Sequence, residues 1–234
     1  MITIQRAGER YSADNGWLKS NFSFSFADFY DPNNSQFGPL RVLNDDWIAA
    51  SEGFGMHPHR EMEIVTLVLS GLLEHKDSLG NRAATTWGGV QRMSAGTGVF
   101  HSEYNISEDE PLELLQMWFI PDKQGVKPSY ETTEFDKDNL TDKLVPVAST
   151  NAVEGKVAHI NQDMSIYLSD LSAGKPLTFT QPAGRKAFLF VLEGEISVKG
   201  ELTLGRRDAA KLEDVTELIL ISREGARILL IDLP

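Results

Sequence analysis

The chain has no cysteine among its 234 residues. That excludes a disulfide framework, a cysteine-bound zinc site, an iron–sulfur cluster and a catalytic thiol. A cysteine-free chain also suits a reducing cytoplasm. Basic residues are sparse: 22 Lys and Arg stand against 34 Asp and Glu, a formal charge of −12, and they form no cluster. Such a field repels phosphate backbones and disfavours nucleic acid as a main partner. No apolar run approaches the ~18–20 residues of a membrane span. The start, Met1-Ile2-Thr3-Ile4-Gln5-Arg6, lacks the apolar stretch of a secretory signal. Helical pattern is scarce too, with one modest candidate at Asp136–Leu144. The expectation is a cytoplasmic globular protein without nucleic-acid or membrane partners, long enough to bury a core unaided.

What is present is strand pattern. Arg41–Asn44, Glu63–Leu69, Leu112–Ile120, Ala187–Leu192, Glu217–Ile221 and Arg227–Leu233 are short, apolar and rich in β-branched or aromatic residues. Turn signals separate them: Asp31-Pro32-Asn33-Asn34, Asp77-Ser78-Leu79-Gly80-Asn81, Gly88-Gly89 and Gly96-Thr97-Gly98. Asp77–Asn81 sits between two strands as a hairpin loop does. Many short strands at close spacing predict an all-β sandwich or barrel.

Two echoes suggest a duplication. Val68-Leu69-Ser70-Gly71 resembles Val191-Leu192-Glu193-Gly194, 123 residues on, and Gln116–Pro121 resembles Leu229–Pro234, 113 residues on. The stretch 126–154 is mostly polar and reads as a connection between an N-terminal half, residues 1–125, and a C-terminal half, residues 155–234. Of the five histidines, His57, His59, His75 and His101 lie in the first half and only His159 in the second, so metal chemistry belongs to the first. Adding 123 to the numbers of His57, His59 and Glu63 leads to Thr180, Pro182 and Lys186, none a usual ligand.

His57-Pro58-His59 and His101-Ser102-Glu103 each place residues i and i+2 on one face of a strand. If the two strands oppose each other across a barrel, three imidazoles and a carboxylate converge. That set suits Fe(II), Mn, Co, Ni, Cu or Zn with positions left open. Two unrelated surface pairs would give the same spacing. His75 reads as a polar face position or a satisfied core histidine, and His159 as structural or exposed. Phe22, Phe24 and Phe26 alternate and read as one core face of a strand. Phe54, Met56 and Phe100 neighbour the histidines and are candidates to wall a pocket.

Gly53-x3-His57-x-His59-x3-Glu63-x7-Gly71, followed by Gly98-x2-His101-x3-Asn105, resembles the two motifs of the cupin superfamily. More narrowly, His57-Pro58-His59-Arg60, His75–Asn81 and Met93–Gly98 leading to His101-Ser102-Glu103 resemble the pirin family and its bacterial quercetin 2,3-dioxygenase-like members, over residues 15–121. The resemblance implies a bicupin of two face-to-face jelly-roll β-barrels, with one divalent transition-metal ion, iron first among the alternatives, in the N-terminal barrel only. It implies His57, His59, His101 and Glu103 as ligands. Glu63, the ligand position of many other cupins, is then a candidate to support a ligand from behind. The implied activity is oxygenation of a flavonol such as quercetin, chelated through its 3-hydroxyl. The resemblance implies ring cleavage by O2 with loss of carbon monoxide, and Glu103, or Glu63 if it is free, is the candidate proton acceptor. The same resemblance leaves open a regulatory or redox-sensing protein that binds a protein partner with a non-catalytic metal. Cupins also host isomerases and lyases of small oxyanions, which Arg60 alone favours weakly.

Overall fold

The computed structural model describes residues 1–234 and is almost entirely β-strand, with two short 3-10 turns, Ala7–Glu9 and Lys137–Asn139. No helix is long and apolar enough to cross a membrane. The predicted helix over Asp136–Leu144 reduces to the second of those turns. The Asp136 side chain caps it by accepting from the Asp138 N–H at 3.1 Å, and Asp142 at φ 55° closes off any continuation.

The chain forms two compact units, one of Tyr11–Phe135 and Thr150–Gln162, the other of Met1–Arg10, Asp136–Ser149 and Asp163–Pro234. This differs from a division at residues 125 and 155, for reasons visible in the pairing. Ile2–Gln5 joins the second unit by running antiparallel to Ala209–Glu213. The stretch 126–154 is not a bare connection: Ser129–Glu134 pairs with Gly89–Ser94, and Val145–Ser149 with Ser165–Leu171. Its polarity reflects an edge strand and turns.

In the first unit, a seven-stranded sheet runs Ser129–Glu134, Gly89–Ser94, Glu63–Ser70, Leu112–Phe119, Leu40–Ile48, Leu18–Phe22, Tyr11–Asp14. A four-stranded sheet runs Gly53–His59, Val99–Asn105, Leu73–Asp77, Arg82–Thr85, the last two joined by the Asp77–Asn81 hairpin. In the second unit, one sheet takes the order Ile2–Gln5, Ala209–Glu213, Lys186–Gly194, Ala226–Leu233, Ser165–Leu171, Val145–Ser149, and the other Pro176–Thr180, Glu217–Ile221, Ile196–Val198, Leu202–Leu204. Each unit is an antiparallel barrel of two sheets, the bicupin architecture the sequence leads one to expect.

The echoes are structural equivalences. Glu63–Ser70 and Lys186–Gly194 are the buried central strands, paired with Leu112–Phe119 and Ala226–Leu233 respectively. At the end of each stands a glycine in the left-handed region, Gly71 at φ 86° and Gly194 at φ 80°. A Cβ on Gly71 would lie 2.8 Å from Leu112 Cα, and one on Gly194 2.9 Å from Ala226 Cα. The turn and the close approach both require glycine.

The interiors differ. The second barrel is filled by one apolar cluster that includes Leu177, Phe179, Leu189, Leu218, Leu220 and Leu230. The first includes two smaller clusters, one around Ile48, Val68, Leu73 and Leu114, the other around Ile64, Met93 and Val99. Strand periodicity shows what separates them: Thr66 lies between Ile64 and Val68 on one face, and Gln116 between Leu114 and Trp118. The core of the first barrel is interrupted by a polar layer.

Candidate metal centre

His57 and His59 come from Gly53–His59, and His101 and Glu103 from its antiparallel neighbour Val99–Asn105, with His101 directly opposite His57. The register slips between His101 and Glu103, which places Glu103 opposite Phe54. Gly53 permits this slip, since a Cβ there would lie 2.6 Å from Tyr104 Cα. Asn105, the last residue of the second motif, anchors the strand end by donating from Nδ2 to the carbonyls of Ala49 and Glu110 at 3.1 and 2.9 Å.

The three imidazoles converge. Ring centroids are 4.5 Å apart for His57 and His101, 4.8 Å for His57 and His59, and 4.8 Å for His59 and His101. Their nitrogens form one group of potential ligands within 4.8 Å of one another, and His75, His101 and Glu103 form a second, with His101 common to both. The structure thus brings His57, His59 and His101 together, places Glu103 in a second group beside His101, and adds His75 to that second group.

The site is set for neutral imidazoles. Burial, then the neighbouring His101 and His57, pushes His59 down to about 4. Burial, then His57 and His75, pushes His101 down to about 3. Both Nε2 atoms are buried without a hydrogen-bond partner, a costly arrangement unless something else takes the lone pair. His57 Nδ1 lies 2.8 Å from the Gly55 carbonyl oxygen, to which it donates, so Nε2 is its free lone pair. Behind His101, His75 Nδ1 is 3.3 Å from His101 Nδ1, and His75 Nε2 is 3.3 Å from Asp77 Oδ2. Burial raises the Asp77 carboxyl, but bonds from Asn81, His75 and the Leu79 N–H outweigh it and hold the group below its usual range. Ionised Asp77 accepts from His75 Nε2, His75 Nδ1 accepts from His101 Nδ1, and His101 Nε2 is left as the lone pair. Tyr130 stacks on His75 at 4.0 Å, its hydroxyl raised by burial and then by Glu103 and Asp77. A divalent ion therefore fits this donor set, with the histidine tautomers already arranged.

Glu103 is fixed from the opposite sheet. Thr66 Oγ1 donates to its Oε1 at 3.3 Å and Gln116 Nε2 to its Oε2 at 3.0 Å. Gln116 is oriented in turn by Trp118 Nε1, which donates to Gln116 Oε1 at 3.0 Å. Glu63 is elsewhere. Its strand turns Ile64 and Thr66 toward the site and Glu63 away, and its carboxylate accepts from Ser94 Oγ at 2.5 Å and from the Asn161 N–H at 3.1 Å. Alternation does not carry through from His57 and His59 to Glu63, because the strand ends at His59 and Glu61 adopts φ 51°. His159 joins neither ligand group.

His57, His59 and Glu103 line one wall of a cavity of 520 Å³, within the ~300–1,000 Å³ that holds a small organic ligand. Phe22, Phe26, Phe54 and Trp118 supply much of its lining. The aromatic run is therefore split: Phe24 is core, while Phe22 and Phe26 face the cavity. Phe54 walls the pocket as expected, whereas Met56 and Phe100 are 57% and 52% exposed on the outer face. Sequence reasoning missed Thr66, Gln116, Trp118 and Asp77, whose only signal was an inward position on a strand.

The family description "Pirin" matches residues 4–119, and "Quercetinase C-terminal cupin domain" matches residues 146–233. The quercetin 2,3-dioxygenase of Escherichia coli (strain K12) is 40% identical over 234 residues, covering 100% of this chain and 99% of its own. A pirin-like protein of Caulobacter vibrioides is 40% identical over 220 residues, 94% of each chain. The crystal structure of the bacterial pirin YhhW in complex with nickel(II) from Escherichia coli matches with a TM-score of 0.94 and 39% identity, over 100% of this chain and 99% of that one.

Proposed function

The chain belongs to the pirin family, and on that basis we propose that it is a metal-dependent dioxygenase that opens the heterocyclic ring of a flavonol such as quercetin. The observation that carries the reading is the convergence of three imidazoles, with Glu103 beside His101, next to a cavity that His57, His59 and Glu103 line together with Phe22, Phe26, Phe54 and Trp118. His57, His59, His101 and Glu103 are the residues we assign to hold the ion. A bound divalent ion supplies Lewis acidity that favours the ionised 3-hydroxyl of a flavonol and orients it toward O2. The donor set suits Fe(II), Mn, Co, Ni, Cu or Zn, and iron is the ion to test first beside nickel.

The chain's own groups do the rest. Glu103 accepts the 3-hydroxyl proton, and the bonds from Thr66 and Gln116 fix the direction from which it does so. Phe22, Phe26, Phe54 and Trp118 stack against a flat ring system and exclude water, which limits competing proton transfer. Oxygen uptake is the test, with wild type and His57→Ala each reloaded with one metal, on quercetin and on a flavone lacking the 3-hydroxyl. Uptake by wild type on quercetin alone is expected. Equal uptake by His57→Ala would reduce the activity to adventitious metal.

A second reading, a regulatory protein with a protein partner, draws on Met56, Phe100 and Tyr104, which are exposed on the outer faces of the two strands that carry the histidines. Metal-dependent capture of a partner by a chain that turns over no flavonol would favour it.

A further inference from the structure

The cavity has a second polar feature, on the wall formed by Leu40–Ile48 and Leu18–Phe22. Asp46 and Asn44 alternate on the inner face of the first strand, and Ser20 is the cross-strand partner of Asp46. All three are at least nine-tenths buried. The Ser20 hydroxyl donates to Asp46 Oδ1. Asp46 Oδ2 has no hydrogen-bond partner in the chain, and no Lys, Arg or His forms an ion pair with this carboxyl. Asn44 Oδ1 is likewise buried without a donor. Two acceptor oxygens thus stand unpaired beside a cavity that Phe22, Phe26, Phe54 and Trp118 line together with polar side chains.

We propose that Asp46, Ser20 and Asn44 form a second subsite that takes a phenolic hydroxyl of the substrate remote from the 3-hydroxyl. The inference rests on the flavonol reading above. Placement supports it. Gln116, which holds Glu103, lies directly opposite Asn44 across the strand pair. Directly opposed side chains on one face of a sheet are ~4.5–5.5 Å apart and diagonal ones ~7–8 Å. Asn44 is thus one step from the residue that holds Glu103, and Asp46 one diagonal step. Chemistry supports it as well. Burial, offset in part by Ser20 and reinforced by Asp45 and Glu103, pushes the Asp46 carboxyl up to about 7. In either protonation state it keeps an oxygen able to accept from a hydroxyl. A buried carboxyl without a cation is costly for folding alone, and such costs gather at sites of function.

The test is anaerobic binding to the metal-loaded protein, read by flavonol absorbance or fluorescence, so that turnover plays no part. Three ligands are compared: 3-hydroxyflavone, a flavonol with added hydroxyls on the fused ring only, and one with them on the pendant ring only. Wild type is expected to bind one of the hydroxylated pair about 10–100-fold more tightly than 3-hydroxyflavone, the effect of one bond to a charged or strongly polar group. Which of the two it is identifies the ring at the subsite. Asp46→Ala should lose that preference while binding 3-hydroxyflavone as wild type does, and Ser20→Ala should lose part of it. Retention of the full preference by Asp46→Ala overturns the proposal, as does an equal loss for all three ligands. If wild type prefers neither hydroxylated ligand but binds 3-hydroxyflavone, the subsite fails and the flavonol reading stands. If wild type binds none of them, both fall.

Discussion

In the C-terminal barrel the strands Pro176–Thr180 and Glu217–Ile221 turn Leu177, Phe179, Leu218 and Leu220 into a closed apolar core. The corresponding pair of the other barrel, Gly53–His59 and Val99–Asn105, carries His57, His59, His101 and Glu103 instead. The central strands are alike in both, down to Gly71 and Gly194 at the same turn. Barrel formation therefore depends on the apolar central strands and their turn glycines, and leaves the inner face of the smaller sheet free to vary. Where that face is apolar the barrel is complete as a core. Where it is polar, buried nitrogens lack partners, and the barrel gives up core packing for a site.

The largest effect should come from His101→Ala, since His101 belongs to both groups of potential ligands. Elemental analysis is expected to find one ion per wild-type chain and close to none in the variant. Metal retained by the variant would make the polar layer of the first barrel a structural feature only. The converse substitution is Leu189→Ala in the closed core. Removing a fully buried leucine costs about 2–5 kcal/mol, visible in denaturant unfolding, while the folded variant should keep its one ion per chain.

A smaller difference separates the two buried glutamates. Glu103→Gln should weaken metal binding more than Glu63→Gln in competition with a chelator, because Glu63 faces Ser94 and Asn161 rather than the histidines. Changes behind a ligand typically cost about 10–100-fold. The reverse ranking would move the carboxylate ligand to Glu63.

The mildest effect is on pH. His59 and His101 are held at about 4 and about 3 against an ordinary 6.5. Below pH 6.5 the unfolded chain binds protons that the folded chain resists, so metal-free protein should lose stability from there downward through about 4 and 3. The apolar core of the other barrel holds no histidine, and substituting His59 and His101 should flatten the acid limb of a pH series of unfolding midpoints.

The sequence made some of this legible and hid the rest for physical reasons. Strands such as Glu63–Ser70 and Glu217–Ile221 announce themselves because β-branched apolar runs have few other homes. Edge strands such as Ser129–Glu134 do not, since a polar half-exposed strand reads as a loop. His57, His59, His101 and Glu103 were legible because i, i+2 spacing is local. The support from Asp77, Thr66 and Gln116 was not, because strand pairing brings Asp77 in from 24 residues before His101, and Thr66 and Gln116 reach Glu103 from the opposite sheet, 37 and 13 residues away. Glu63, expected behind a ligand, faces Ser94 and Asn161 instead, because the left-handed Glu61 resets the alternation between the two strands.

The most direct test of the central claim is an anomalous difference map from crystals of the nickel- or manganese-loaded protein. The account predicts one strong peak per chain, within bonding distance of His57, His59, His101 and Glu103, and none inside the C-terminal barrel. A peak enclosed by His75, His101 and Glu103 without His57 and His59, or one in the C-terminal barrel, would contradict it.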